Sequence, residues 1–377
     1  MVTSMQTALV DPEEVGVDPA RLDVLVRRVA LEVEHGPLPA AQLAVAARGR
    51  LVANHTFGTI RPGQRFILQS VGRTLLASCA WKLMDEDLLH PQDRVADVVE
   101  EFGTNGKEAV TVEQVLTHTA GFPFAPLGLP AMESREGRLA AFAKWRLTYE
   151  PGTLLQFHLT SAAWLIAEFV ERLTGLPLPV YLREVITEPL GLTSVQLAVP
   201  QADQAASIAP MTVTDSTDPN PQVDPWGPWY LNNPRIIAAG EPSHCIVASA
   251  ADVALHYQAL ACSGLWSRST IEDATRIRVS MPPEGDQLYG GGSVPVNMGL
   301  FVTVAGDTGG NWLPVTGSSR LFGHGGAASQ LGFYDPETEV SVAFLTNGYP
   351  LAGYDYTRAG IARVTNIGNL GADLAAD

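Results

Sequence analysis

The segment FILQSVGRTLLASCAWKL, residues 66 to 83, sets a hydroxyl at Ser70 three positions ahead of a cation at Arg73. Leu75, Leu76, Cys79, Ala80, Leu83 and Met84 recur at spacings of three and four, so a helix is predicted to begin near residue 70. Unpaired N–H groups and the dipole at a helix N-terminus favour developing negative charge, which suits an attacking alkoxide at Ser70. Arg73 falls about one turn on, within reach of that hydroxyl. A plain helix cap is the competing reading, because serine is a favoured capping residue.

The elements that must carry this pair follow from periodicity. PARLDVLVRRVALEVEHG (19 to 36) reads as a helix stopped by Gly36, and AQLAVAARGRLVANHTFG as two strands joined around Arg48-Gly49-Arg50. From Ser70 to about residue 200 the pattern is mostly helical, with Thr111 ahead of Glu113 and Gln114 at one start and Gly175 at one stop. SAADVALHYQALACSG (249 to 264) is a helix capped by Ser249 and ended by Gly264. MGLFVTVAG, GAASQLGFYDP and EVSVAFLTNG return to strands. Strand material at both ends with helices between predicts an α+β chain. Residues 1–69 and 201–377 form a lobe around an antiparallel sheet, and 70–200 an inserted all-helical lobe.

Composition narrows the function. The 377 residues carry 24 Lys+Arg against 40 Asp+Glu, a formal charge of −16, with no basic cluster. Nucleic acid and anionic membrane are therefore unsuitable partners, and a small-molecule substrate is expected. No run of eighteen apolar residues occurs and the N-terminus lacks a charged start before an apolar core, so a cytoplasmic protein is expected. Cys79, Cys245 and Cys262 have neither disulfide-framework nor zinc spacing, and no cofactor or metal is expected.

Four segments in register, FILQSVGRT, VTVEQVLTHTAGFP, EPGTLLQFHLTSAAWLIAEFVERLTG and FGHGGAASQLGFYDPETEVSVAFLTNG, resemble the serine β-lactamase-related superfamily. The nearest likeness is to esterases and acyltransferases related to class C β-lactamases and penicillin-binding proteins, and it runs from about residue 11 to 365. The resemblance implies a β-lactamase/transpeptidase-like fold with a cleft between its lobes, and a first motif S-x-x-K whose serine is acylated. It makes Ser70 the nucleophile and His324-Gly325-Gly326 the third motif on an edge strand, with the N–H groups of Ser70 and Ala327 as the oxyanion hole. Glycines at 325 and 326 suit a strand whose backbone a substrate must approach.

Two departures are informative. Arg73 stands in place of the family's lysine, and Phe157 in place of the second-motif tyrosine. Arginine effectively never loses its proton and phenylalanine has none to move, so the usual base is absent. Lys82 lies about 18 Å further along the helix and cannot replace it. A histidine, His158 or His244, is one substitute, since histidine suits base work near neutral pH. His118 is expected to bond local backbone. The aromatic group Trp226, Trp229 and Tyr230 sits on a Pro-rich stretch that borders the cleft in the resembling fold.

The reading that results is a serine esterase or acyltransferase acting on an ester, thioester or amide of a small metabolite. Ser70, Arg73, His158 and His324 are its catalytic candidates. Phe157, Gly325, Gly326, Ala327, Trp226, Trp229 and His244 are its substrate-binding candidates. The alternative is a non-hydrolytic catalyst or binding protein in which Arg73 grips an anionic group and the serine is idle.

Overall fold

The computed structural model describes residues 2–214, 227–284, 294–307, 313–327, 329–350 and 359–376. Long apolar runs such as Ala40–Ala47 and Val340–Thr346 are buried along their whole length, which requires cover on both faces of the sheet they form. The alternation of a strand divides each run between two cores. Ala41, Leu43, Val45, Val340, Val342 and Phe344 meet Leu25, Val29, Val364 and Ile367, from helices Pro19–Glu34 and Ile361–Ala372. Ala40, Ala44, Ala46, Ala343 and Leu345 join the other core, together with Val253 and Leu260 of helix Ala250–Cys262. Within that second layer Gln258 Nε2 donates to the carbonyls of Ala46 and Glu339 and to Ser341 Oγ, so the buried amide ties helix to sheet.

Among the described residues nine strands form this sheet. Their spatial order is Gln6–Leu9, Arg50–Gly58, Ala40–Ala47, Val340–Thr346, Gln330–Asp335, Phe322–Gly326, Thr303–Val304, Val296–Met298 and Val279–Met281. Neighbours run antiparallel, save that Gln6–Leu9 lies parallel to Arg50–Gly58. The mixed α+β architecture expected from the sequence is the one observed. One stretch differs. MGLFVTVAG is not a single strand but two short ones folded back, Met298 opposite Thr303, because Phe301 turns the chain at φ 68° and its N–H is held by the carbonyl of Leu116 at 2.7 Å.

Two features deliver Ser70 to its place. Phe66–Ile67 pairs with Val247–Ala248, and the ladder continues as Leu68 N–H donates to Ile246 O (2.8 Å) and Gln69 N–H to His244 O (3.1 Å). The chain then tightens into a 3₁₀ turn, Gln69–Gly72, before the buried helix Arg73–Asp85. Ser70 therefore sits one turn before the helix and makes no capping hydrogen bond, which removes the plain-cap reading. Among the described residues no helix is long and apolar enough to cross a membrane.

Candidate active site

The turn that holds Ser70 lies against the strand Phe322–Gly326. A Cβ built on Gly326 would meet Gln69 Cβ and the carbonyl of Leu68 at 3.3 Å each, so the absence of a side chain there is what lets strand and turn close up. Phe322 and Gly323 pair on both sides, but among the described residues His324, Gly325 and Gly326 pair only with Gly332, Leu331 and Gln330. The strand expected at the sheet's edge is thus interior at its start and open on one side at its glycines. That unpaired flank lies beside the turn that holds Ser70, which is 8% exposed.

Backbone strain clusters here. Gln69 (φ 51°), immediately before Ser70, and Ala327 (φ 42°), immediately after the strand, are both left-handed, as are His118 (φ 60°) and Phe301 (φ 68°). Such conformations persist only where their surroundings fix them, and they gather at functional sites. Gln69 is held by a hydrogen bond from its Nε2 to Ser329 Oγ at 3.1 Å.

Arg73 is completely buried. Its guanidinium donates to the carbonyl of Leu159 and lies 4.3 Å from the Phe157 ring centre and 5.0 Å from that of Phe301. A planar, weakly hydrated cation tolerates such stacking better than an ammonium would. Its charge reaches three imidazoles. Burial first, and Arg73 after it, hold His118 well below the ordinary histidine range and His324 down to about 3. His158 is likewise about 3, with burial the largest cause. All three are neutral near pH 7.

Their hydrogen bonds separate their capabilities. His158 Nδ1–H donates to Gln156 O at 2.7 Å and its Nε2 accepts from Phe122 N–H at 3.1 Å, so both nitrogens are committed to backbone. The expected catalytic role of His158 does not survive this arrangement, because it has no lone pair to offer. His118 does not bond local backbone as expected. Its Nδ1 accepts from His158 N–H at 3.1 Å, which leaves the proton on Nε2. His324 Nδ1–H donates to Gly325 O at 2.7 Å, so its lone pair is on Nε2, where no described residue donates to it. Phe157 is packed between these groups, 4.4 Å from His118 and 5.9 Å from His324 by ring centres, as an apolar spacer.

His244, whose carbonyl accepts the N–H of Gln69, donates from Nδ1 to Glu241 Oε2 at 3.0 Å. Glu241 is fully buried and also accepts from the N–H groups of Ser243 and His244, each at 3.0 Å. Tyr230 is buried, and desolvation followed by the Glu241 charge pushes its phenol well above the usual range. Trp229 is 48% exposed on the short helix Pro228–Leu231, with its ring edge-on to that of Tyr230 at 6.1 Å between centres. Trp226 lies outside the described residues.

Ser70, Arg73, Phe157 and the segment 324–327 thus converge, while His158 lies behind them as scaffold. Sequence reasoning missed Glu241, Phe301 and the site-side role of His118. An acid three positions before a histidine was the only local sign of Glu241, and nothing local marks Phe301.

The chain and its fold are similar to those of known proteins. Residues 25–366 fit the family model described as Beta-lactamase. An esterase/beta-lactamase, LipL, of Mycobacterium tuberculosis is 27% identical over 74% of this chain and 68% of its own. A penicillin-binding protein homologue from Caulobacter crescentus superposes with a TM-score of 0.77 at 24% identity, covering 93% of this chain and 97% of that one. A family VIII carboxylesterase superposes at 0.78 with 20% identity, covering 94% and 98%. With a family match across most of its length and the fold to go with it, the chain belongs to the beta-lactamase family of serine hydrolases and esterases.

Proposed function

We propose that the protein cleaves or transfers an acyl group carried as an ester, thioester or amide of a small metabolite, with Ser70 as nucleophile. The observation that carries this reading is the closure of the Ser70 turn onto the open, glycine-bearing flank of Phe322–Gly326. An acyl carbonyl lying along that flank would have Ser70 Oγ on one side of its carbon. As the Oγ–C bond forms, the carbonyl π pair moves to oxygen, and the backbone N–H groups of Ser70 and Ala327 are the donors assigned to it. Collapse breaks the bond to the leaving group, which takes up the proton lost from the Ser70 hydroxyl and departs as the alcohol, thiol or amine, and the acyl-serine that remains is cleaved by water or a second acceptor.

The competing reading, in which Arg73 grips an anionic ligand, is disfavoured by the complete burial of that side chain against Phe157, Phe301 and the Leu159 carbonyl. The test is intact-mass analysis after exposure to a fluorophosphonate, with peptide mapping. One adduct on Ser70, absent from Ser70→Ala, is expected. An unlabelled protein, or an adduct elsewhere that persists in Ser70→Ala, refutes the reading.

A further inference from the structure

We propose that Gln69 and Ser329 form a buried clamp that fixes the spacing of the two oxyanion donors, the N–H groups of Ser70 and Ala327. The inference rests on the acyl-transfer reading above and deepens it, because the two halves of that hole come from segments far apart in the chain and something must hold them in register.

Backbone pairing does not supply that register. Ahead of Ser70, the N–H groups of Leu68 and Gln69 are committed to Ile246 O and His244 O, at 2.8 Å and 3.1 Å. Among the described residues, Gly325 and Gly326 pair with Leu331 and Gln330 on their other side. Side chains make the connection instead. Gln69 Nε2 donates to Ser329 Oγ at 3.1 Å, and Ser329 Oγ donates in turn to Gly326 O at 3.0 Å. Gln330 Nε2 reaches back the opposite way, to Ile67 O at 2.9 Å and to Thr346 O at 2.7 Å. Residues 67–69 and 326–330 are thus stitched by two amides, one from each segment. Gln69 is 1% exposed, and Ser329 and Gln330 are fully buried, so little water competes for these bonds.

The stitched residues are the ones that aim the donors. Gln69 directly precedes Ser70, and Ser329 closes the turn that contains Ala327, its own N–H donating to Gly326 O at 2.8 Å. Gln69 and Ala327 are both left-handed, at φ 51° and φ 42°, a conformation that such residues keep only when their surroundings impose it. The link between the Gln69 amide and the Ser329 hydroxyl ties these two strained points to each other, so a shift of one donor carries the other with it. Neither side chain is assigned a contact with the reacting atoms, and both are positioning residues.

The experiment compares the full-length protein with Gln69→Met, Ser329→Ala and the double variant, on a p-nitrophenyl ester and the matching thionoester. Phenylboronic acid probes the oxyanion hole, and thermal melts are the control for folding. Gln69→Met keeps the length of the side chain but cannot donate. Each single variant is expected to lose about tenfold or more in kcat with KM within about twofold, and to bind the boronate more weakly by a similar factor. The double variant should fall no further than the weaker single one, because both changes remove the same link. Sulfur accepts hydrogen bonds poorly, so the ester-to-thionoester rate ratio should drop in the variants, whereas a general loss of order slows both substrates alike. A kcat within about threefold of the unmutated protein in folded variants, additive losses in the double variant, or an unchanged ester-to-thionoester ratio overturns the clamp, while fluorophosphonate labelling of Ser70 leaves the acyl-transfer reading intact. If the unmutated protein fails to label at Ser70, both fall together. If no variant folds, a crystal structure of the boronate-treated protein decides: Gln69 Nε2 still on Ser329 Oγ, with a boronate oxygen on both N–H groups, supports the clamp, and a Gln69 amide turned away from Ser329 overturns it.

Discussion

The guanidinium carbon of Arg73 lies 4.3 Å from the centre of the Phe157 ring, so the two side chains form one cation–π contact. A cation that keeps its proton and a ring that has none to move are packed together. A double-mutant cycle with Arg73→Met and Phe157→Leu, followed by urea unfolding, should give a coupling of about 0.5–2 kcal/mol. Strict additivity would show that the stacking contributes nothing.

The buried imidazoles link stability to acidity. His256 and His158 are held to about 3 by burial, His324 to about 3 by burial and then Arg73, and His118 well below its ordinary range. The unfolded chain takes up protons on these groups as pH falls below about 6.5, whereas the folded one does not. Their contribution is therefore complete above that pH and declines toward pH 3, by about 2 kcal/mol per imidazole at pH 5. Urea midpoints should drop steeply between about pH 7.5 and about pH 5, before most carboxylates titrate. His256→Gln, which keeps a polar partner for Ser78, should make the drop shallower. An unfolding free energy that is flat over this interval would contradict the neutral, buried assignment.

Two glycines of one strand should respond differently. A Cβ at Gly323 would lie 2.2 Å from the Gly332 carbonyl oxygen, so Gly323→Ala must break the sheet locally and lower thermal stability. At Gly326 the nearest atom is Gln330 Cβ at 3.1 Å, and Gln69 Cβ and Leu68 O follow at 3.3 Å. Gly326→Ala can be absorbed by a shift of a few tenths of an ångström, and that shift displaces the strand from Ser70. Displacements of this kind cost reactivity, so about a tenfold or greater loss in the Ser70 acylation rate is expected, with the melt nearly unchanged. Equal acylation in Gly326→Ala would mean that the strand does not position the substrate.

Much of the architecture was legible because it depends on local chemistry. Thr111 and Gln114 form the capping box their spacing suggested, Gly175 ends its helix left-handed, and Ser249 caps the helix beginning at Ala250. The two-core sheet follows from the uninterrupted apolar runs at Ala40–Ala47 and Val340–Thr346. What escaped is long-range. Phe301 enters the site because the Leu116 carbonyl holds its N–H, and His118 joins it because the N–H of His158, forty residues away, bonds its ring. Glu241 is set apart by its burial and by the three donors that gather on it, and both are made by the fold. The place of Ser70 just ahead of a buried helix was legible from its neighbours in sequence, but the state of each histidine depends on partners no spacing rule reveals.

The central claim is that the Ser70 hydroxyl attacks an acyl group held on the 324–327 strand. The most direct measurement is a crystal structure of the protein treated with an aryl boronic acid, which mimics the tetrahedral intermediate. A bond from Ser70 Oγ to boron, with one boronate oxygen about 2.7–3.1 Å from the N–H groups of both Ser70 and Ala327, is the expected result. Boron bound elsewhere, or an adduct on Ser70 whose oxygens turn away from Ala327, would contradict the account.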